Sequence, residues 1–199
     1  MTTTFLLARH AAHPLLDRVL VGRMPNVGLG IDGQAQTQRL AKRLSREPIA
    51  GIYSSPQQRA RETAAPIALG VGATRVAPST ALDEVDVGDW TGRSFADLAN
   101  DRRWQHWNRA RESARSPGGE SLRDVQGRVV SYMEELRAEW PHSHVLLVSH
   151  GDVIRAALLF YLKLPLWALD RIEIAPASLS SLVVGDWGAK ILTLNEIVN

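Results

Sequence analysis

Two apolar segments of the sequence each end in a histidine. In FLLARH the apolar residues 5–8 lead directly into Arg9 and His10, and in HVLLVSHGD a near-continuous apolar run leads to His150. Because parallel strands are buried on both faces, such runs predict two strands of a parallel sheet. Ligands of open α/β sheets bind beyond the carboxyl ends of the strands, so both imidazoles are predicted at one edge of the sheet.

A third predicted strand end adds an arginine. In YSSPQQRARETA, Ser55, Pro56 and Gln58 match a capping box, which predicts a helix with Ser55 as its N-cap. Arg59 then lies in the first turn, where a cation opposes the helix dipole at a cost of about a few tenths of a kcal/mol. A surface arginine that extends away from the helix is one interpretation. The other is an anion bound at the helix N-terminus, because the amides and Arg59 would then attract it together.

Strands and helices alternate along most of the chain, which predicts an α/β fold. Its expected form is a three-layer α/β/α sandwich with a mostly parallel central sheet. Asp32 is the expected N-cap of the helix that follows it, and GDWG is the expected turn of a hairpin near the end of the chain. The predicted strands are 3–8, 49–53, 144–150, 179–184 and 190–194, and the predicted helices are 34–46, a helix that starts at 55, 121–140 and 152–162. A length of 199 residues fits a single domain over 1–199.

The stretch from roughly 90 to 119 breaks this alternation and is predicted to be a helical insertion. Trp104 and Trp107 are three residues apart, so they can share one helix face that packs inward. A helical flap over the active site is the preferred interpretation, ahead of a solvated helix. A nucleic-acid surface is the third, because aromatic residues among cations can stack on bases. The arginines of this stretch are Arg102, Arg103, Arg109, Arg111 and Arg115.

Composition limits the classes of protein and of site. The absence of cysteine excludes disulfides, thiolate nucleophiles and cysteine-based zinc sites. No signal peptide and no apolar run of about 20 residues is found, so a cytoplasmic protein without a membrane segment is expected. His142 and His144 form an H-x-H pair, but at about 3.3 Å per residue His144 and His150 lie about 20 Å apart and cannot share a metal. No metal is expected, and the sequence does not indicate an oligomeric state.

Five motifs, in this order and at these separations, resemble the histidine phosphatase superfamily, the phosphoglycerate mutase-like enzymes. The resemblance covers most of the chain and implies the same α/β fold. The motifs are ARHA at 8–11, SSPQQRARETA at 54–64, LDEVDVGDWTG at 82–92, PGGES at 117–121 and VSHGDVIRA at 148–156.

This resemblance implies that His10 is a nucleophile that becomes phosphohistidine. It also implies that Arg9, Arg59 and His150 bind the phosphoryl oxygens and that Glu84 is the proton donor. These residue types suit the chemistry, since neighbouring arginines disfavour protonation of His10 and a neutral imidazole can attack phosphorus without a separate base. Phosphoryl transfer depends mainly on positioning and electrostatics, so no cofactor is expected.

The sequence departs from the family pattern after the Arg-His pair. The family commonly has glycine, any residue, then threonine or serine, and an asparagine three residues further on. Ala11, His13 and Leu16 stand in those places. A hydroxyl and an amide that help to line the phosphate pocket are therefore missing. Arg23, in VGRM, is the candidate to compensate, and an exposed loop arginine is the alternative interpretation. Arg23 and His13 are the further candidate substrate-binding residues.

The sequence therefore predicts a phosphatase that hydrolyses a small phosphomonoester through phospho-His10, with no nucleic-acid or membrane partner. A phosphoglycerate mutase-type phosphoryl transferase is the nearest alternative, although the chain is short for that branch. A binding protein for phosphorylated ligands with little turnover is the other alternative, because of His13 and Leu16. The presence of both His10 and Glu84 favours an enzyme.

Overall fold

The computed structural model describes residues 1–73 and 75–198, and within them six strands form one sheet. Their order across the sheet is β3-β2-β4-β1-β5-β6. The pairs β1–β4, β2–β4 and β2–β3 are parallel, and β5 is antiparallel to both β1 and β6. The strands are Thr2–Arg9 (β1), Ile49–Ser54 (β2), Ala77–Pro78 (β3), His144–Ser149 (β4), Leu179–Gly185 (β5) and Gly188–Glu196 (β6).

The predicted α/β architecture, with its mostly parallel sheet and its final hairpin of β5 and β6, is confirmed. Side chains of β1 alternate between the two faces of the sheet, as a strand requires. Phe5 and Leu7 belong to one apolar cluster, and Leu6 and Ala8 belong to the other. All four are nearly or fully buried. Because the sheet is apolar on both faces, it has to be covered by helices on both faces.

The helices provide those two layers. α1 and α2 pack against each other and contribute to the cluster around Leu6, whereas α5 and α6 contribute to the cluster around Phe5. In the part of the chain that is described, no helix is both long enough and apolar enough to cross a membrane. The helices are Ile31–Leu44 (α1), Gln58–Gly70 (α2), Phe95–Ala99 (α3), Arg102–Arg109 (α4), Leu122–Glu139 (α5) and Gly151–Tyr161 (α6).

Helix α5 has the predicted start, while the predicted cap of α1 is wrong. Ser121 and Asp124 form a reciprocal capping box at the first turn of α5. Helix α1 begins before Asp32, with Gly30 in the N-cap position and no side-chain cap. Asp32 lies inside the first turn, where its carboxylate interacts favourably with the helix dipole.

The predicted capping box of α2 is also wrong. The N-cap is Gln57 and its side chain makes no capping hydrogen bond. Ser55 still continues the path of β2, because its N–H donates to the carbonyl of Val148 in β4 at 2.9 Å. The Ser55 hydroxyl donates to Asp83 Oδ1 at 2.9 Å. The helix therefore starts after Ser55, and the serine side chain is directed to a loop that carries the acidic residues Asp83, Glu84 and Asp86.

The stretch 90–119 contains the two short helices α3 and α4, as predicted for an insertion. Trp104 and Trp107 share one face of α4, and their rings stack with centroids 5.3 Å apart. Trp90 packs edge-on against both rings and is fully buried. The tryptophan faces are therefore directed inward, as expected for a packed helix, and are not presented outward for stacking on bases.

Candidate active site

His10 follows β1 directly and is held at the edge of the sheet by the backbone. Its N–H donates to the carbonyl of Ser149 at 2.9 Å, so the residues that follow β1 and β4 are neighbours. The imidazole is buried, with 3% of the residue exposed. Nδ1 lies 2.8 Å from the carbonyl oxygen of Ala11, which can only accept, so Nδ1 carries the proton. The lone pair of His10 is therefore on Nε2.

Burial and neighbouring positive charge keep His10 in this neutral form. Burial lowers the pKa of His10 well below its ordinary value, and the nearby guanidinium groups of Arg59 and Arg9 lower it further. The imidazole is therefore neutral at neutral pH, with Nε2 unprotonated. An unprotonated ring nitrogen is a nucleophile that needs no separate base.

Arg9 and Arg59 are held through part of their hydrogen-bonding groups. Arg9 donates from Nη1 to the carbonyl of Ile174 at 2.6 Å, and Arg59 donates from Nη2 to the carbonyl of Gly22 at 2.7 Å. Arg9 Nε and Arg59 Nε and Nη1 are buried and have no partner among the described residues. A buried donor without a partner is costly. These N–H groups are suited to the oxygens of a phosphoryl group.

Arg59 is fully buried, which excludes the interpretation of a surface arginine that extends away from the helix. Burial lowers its pKa, whereas the carboxylates of Glu84 and Asp83 raise it. The same guanidinium contacts the second strand-end histidine, with Arg59 Nη2 at 3.3 Å from Nδ1 of His150. Arg59 therefore connects the N-terminus of α2 with the edge of the sheet.

His150 completes the cluster and is positioned by a chain of hydrogen bonds. Its ring centroid lies 5.0 Å from that of His10. Because Arg59 donates to Nδ1, the proton of His150 is on Nε2, which donates to Ser55 Oγ at 2.9 Å. Ser55 in turn donates to Asp83 Oδ1. Burial, Arg59 and His10 lower the pKa of His150 well below its ordinary value. Nδ1 is the ring nitrogen of His150 that faces Arg59 and Glu84.

Glu84 lies beside His150 and lines the same cavity as His10. Its Oε2 is 3.6 Å from His150 Nδ1, and its Oε1 accepts from the backbone N–H of Val85 at 2.9 Å. Burial and the neighbouring carboxylate of Asp152 raise the pKa of Glu84 to about 7, although Arg59 opposes the shift. A carboxyl group with this pKa can donate a proton at neutral pH and take one back. Asp83, the adjacent acid, is directed away toward Ser55 and Gln57.

Arg23 holds the loop of Glu84. It donates from Nε to the Glu84 carbonyl at 2.9 Å and from Nη2 to Glu120 at 2.8 Å. Arg128 donates to the same Glu84 carbonyl at 3.1 Å and pairs with Glu120 at 3.0 Å. Arg23 is not part of the cavity wall. Its contacts stabilise the position of the acid, and its role as a substrate-binding residue stays a prediction.

Ala11 and His13, two of the positions that depart from the family pattern, are both buried. Ala11 is buried, its N–H donates to Thr63 Oγ at 3.0 Å, and it is not among the described residues with positive φ. An alanine therefore costs nothing at this turn. His13 is buried on the cavity wall, with its ring centroid 5.5 Å from that of His10. Burial, with Arg59 and Arg9, lowers the pKa of His13 to about 4, so it is neutral. Its substrate-binding role stays a prediction.

The cavity in front of His10 has a volume of about 220 Å³. One end is formed by Arg9, His10 and Glu84, and the insertion supplies much of the other end. Asp152, the second residue of α6, is a wall residue that sequence reasoning missed. Its place two residues after His150, in the first turn of a helix that starts at the sheet edge, was the signal for it. The wall includes Leu16, Asp17, Leu20, Phe95, Trp104, Trp107, Arg111 and Asp152.

Within the described residues, no group of three histidine or acidic side chains is arranged to hold a metal ion. Of the two arginines of this cluster, Arg9 lines the cavity, whereas Arg59 is fully buried, is not part of the wall, and lies 3.3 Å from His150 Nδ1. The arrangement provides a nucleophile, donors for an oxyanion and a proton donor within one cavity. These are the groups that transfer of a phosphoryl group requires.

Comparison with known proteins agrees with this arrangement. The family model of the histidine phosphatase superfamily (branch 1) matches residues 5–197. The Bifunctional protein Rv2228c of Mycobacterium tuberculosis is 34% identical over 184 residues, which cover 89% of this chain and 49% of that protein. The chain thus spans about half the length of that relative.

Two phosphatases are also similar. Phosphoserine phosphatase 1 of Hydrogenobacter thermophilus is 33% identical over 126 residues, which cover 62% of this chain and 59% of that protein. The native structure of a mycobacterial glucosyl-3-phosphoglycerate phosphatase superposes with a TM-score of 0.87 at 27% identity, and the match covers 98% of this chain and 100% of that one.

Proposed function

Because the chain belongs to the histidine phosphatase superfamily, we propose that it hydrolyses a phosphomonoester through a phosphohistidine on His10. The observation that carries the proposal is the lone pair on His10 Nε2, in a cluster with half-buried Arg9, fully buried Arg59 and Glu84, whose pKa of about 7 allows it to donate a proton. The similar phosphatases support the same class of reaction.

Substrate binding uses the buried donors. The phosphoryl oxygens accept hydrogen bonds from Nε of Arg9 and from Nε and Nη1 of Arg59, which have no partner in the described chain. His150 presents Nδ1 to the same group, and the phosphate dianion favours protonation of that nitrogen. Arg9 and Arg59 supply the positive charge, so the reaction as proposed uses neither a metal ion nor a cofactor.

The first chemical step transfers the phosphoryl group to the enzyme. The Nε2 lone pair of His10 forms a bond to phosphorus while the bond from phosphorus to the ester oxygen breaks. The carboxyl proton of Glu84 passes to that oxygen, and an alcohol leaves. His10 keeps its Nδ1 proton, which donates to the Ala11 carbonyl and stabilises the positive charge that develops on the ring.

The second step returns the enzyme to its starting form. Glu84, now a carboxylate, accepts a proton from a water molecule as the water oxygen bonds to phosphorus. The bond between phosphorus and His10 Nε2 breaks, inorganic phosphate leaves, and Glu84 is again protonated. One carboxyl group serves as acid and then as base, which a pKa of about 7 permits.

The experiment that tests this proposal compares products. Wild-type protein is incubated with p-nitrophenyl phosphate and with an alkyl phosphate, and released alcohol and inorganic phosphate are both measured. The proposal predicts equal amounts of the two products and no release by His10→Ala. Alcohol without inorganic phosphate, in the presence of an acceptor alcohol that becomes phosphorylated, would assign the protein to the transferases instead.

A further inference from the structure

The part of the cavity wall that the insertion supplies is built mainly from aromatic side chains. Phe95 and Trp104 pack with ring centroids 6.2 Å apart, and Trp104 stacks on Trp107. Trp107 and Trp90 beneath them are nearly or fully buried, which fixes the cluster. Leu16 and Leu20 complete this wall. Such a surface stabilises an apolar or aromatic group by burial and by ring contacts.

The charges of the cavity wall disfavour a substrate with a second anionic group. Among the described residues of the cavity wall, Arg9 and Arg111 are the cations, and Arg9 faces the phosphoryl position. Arg111 is already paired with Asp152, at 3.2 Å from Nη1 to Oδ2. Its guanidinium also lies 4.1 Å from the centre of the Trp107 ring. Asp17 adds a further carboxylate to the same wall. To pair with Arg111, a carboxylate on the leaving group would have to displace the Asp152 carboxylate. It would also be repelled by the carboxylate of Asp17.

We propose, on the basis of the proposed function, that the substrate is a phosphomonoester of a neutral alcohol that carries an aromatic ring or a compact apolar group. The aromatic wall contacts that group while the phosphoryl group reaches Arg9 and Arg59. The cavity volume of about 220 Å³ fits this class, since an apolar cavity of about 150 Å³ accommodates benzene. Phosphoserine and phosphoglycerates, which carry a carboxylate close to the phosphoryl group, are disfavoured.

The test measures kcat/KM of the wild-type protein for benzyl phosphate, glycerol 3-phosphate, phosphoserine and 3-phosphoglycerate. All four release an alkoxide, so they differ mainly in what contacts the aromatic wall. We expect kcat/KM for benzyl phosphate to exceed that of each of the others by about 10-fold to 200-fold, the range that apolar contacts in a pocket provide. Equal or faster turnover of a carboxylated ester would overturn the inference and leave the proposed function intact.

Two variants test whether the aromatic wall causes the preference for benzyl phosphate. Phe95→Ala and Trp104→Ala are expected to reduce the ratio of kcat/KM for benzyl phosphate over glycerol 3-phosphate by about tenfold or more, with the larger change for Trp104→Ala. Trp187→Ala, an exposed tryptophan in the turn between β5 and β6, is the matched control and should keep the ratio. An unchanged ratio in both wall variants would overturn the inference. Failure of the wild type to release phosphate from any ester would contradict the proposed function as well.

Discussion

The two ends of the cavity are built in different ways. At the phosphoryl end, His10 and His150 follow adjacent parallel strands and Arg59 follows a third, so backbone hydrogen bonds of the sheet determine their positions. At the leaving-group end, Phe95 and Trp104 come from two short helices of the insertion and are positioned by packing of aromatic rings. The sheet thus positions the reacting groups. In the proposal made above, the insertion selects the alcohol of the substrate.

Glu84 lies next to His150 at the phosphoryl end, and its substitution has the largest expected effect on catalysis with basic leaving groups. Glu84→Gln keeps the shape of the side chain but removes the proton. We expect kcat/KM for an alkyl phosphate to fall by about 10²-fold to 10⁴-fold, the usual contribution of general acid catalysis. The loss for p-nitrophenyl phosphate should be much smaller, because nitrophenolate leaves without a proton. Steady-state kinetics with both esters measure this contrast.

Asp83→Asn is the matched variant in the same loop. Asp83 accepts hydrogen bonds from Ser55 and Gln57 and does not line the cavity, so any loss of activity should be the same for both esters. Equal losses for both esters in Glu84→Gln would assign Glu84 to binding or to structure.

Arg59→Gln tests the phosphoryl end alone. Removal of one preorganised donor to an oxyanion typically costs about 10²-fold to 10³-fold in kcat. We therefore expect a loss of this size for every ester, with the preference for aromatic leaving groups unchanged. Arg61→Gln, on the exposed face of the same helix, is the control and should retain activity. A change in leaving-group preference in Arg59→Gln would break the separation between the two ends.

The Asp152 carboxylate pairs with Arg111 of the insertion and raises the pKa of Glu84. Asp152→Asn should therefore change the dependence of kcat/KM on pH. Burial and Asp152 raise the pKa of Glu84 to about 7, against the opposing charges of Arg59 and Arg9. Since the first step needs the protonated acid, kcat/KM for an alkyl phosphate should decline above about pH 7. Loss of the Asp152 charge lowers the pKa of Glu84, so the decline should move to lower pH. The substitution also removes the ion-pair partner of Arg111, and the freed positive charge lowers the pKa of Glu84 further.

The control for this profile is Asp32→Asn, an exposed residue of α1, which should leave the decline in place. A decline at the same pH in Asp152→Asn and in wild type would mean that Asp152 does not influence Glu84.

The smallest effect is expected from chelation. Because guanidinium groups supply the positive charge of the proposed mechanism, dialysis against excess EDTA should leave kcat/KM unchanged for both aromatic and alkyl esters. A complete loss that one divalent cation restores would contradict the proposed phosphoryl end.

The same division explains what could be predicted from the sequence. Apolar runs that end in His10 and His150 predict parallel strands, and the rule for ligand sites in α/β sheets places both histidines at one edge of the sheet. The N-cap roles predicted for Ser55 and Asp32 are wrong, because the Ser55 hydroxyl donates to Asp83 and because α1 begins one residue before Asp32. The pairing of Arg111 with Asp152 depends on contacts between segments far apart in sequence, which no local pattern contains.

The central claim is tested most directly by trapping the phosphoenzyme. Wild-type protein is mixed with an ester that carries a labelled phosphoryl group and is quenched in base during turnover. If His10 forms a phosphohistidine, the label on the protein is stable in base and labile in acid. The label should map to His10 and be missing in His10→Ala. Label retained by His10→Ala, or label on another residue in the wild type, would contradict the account.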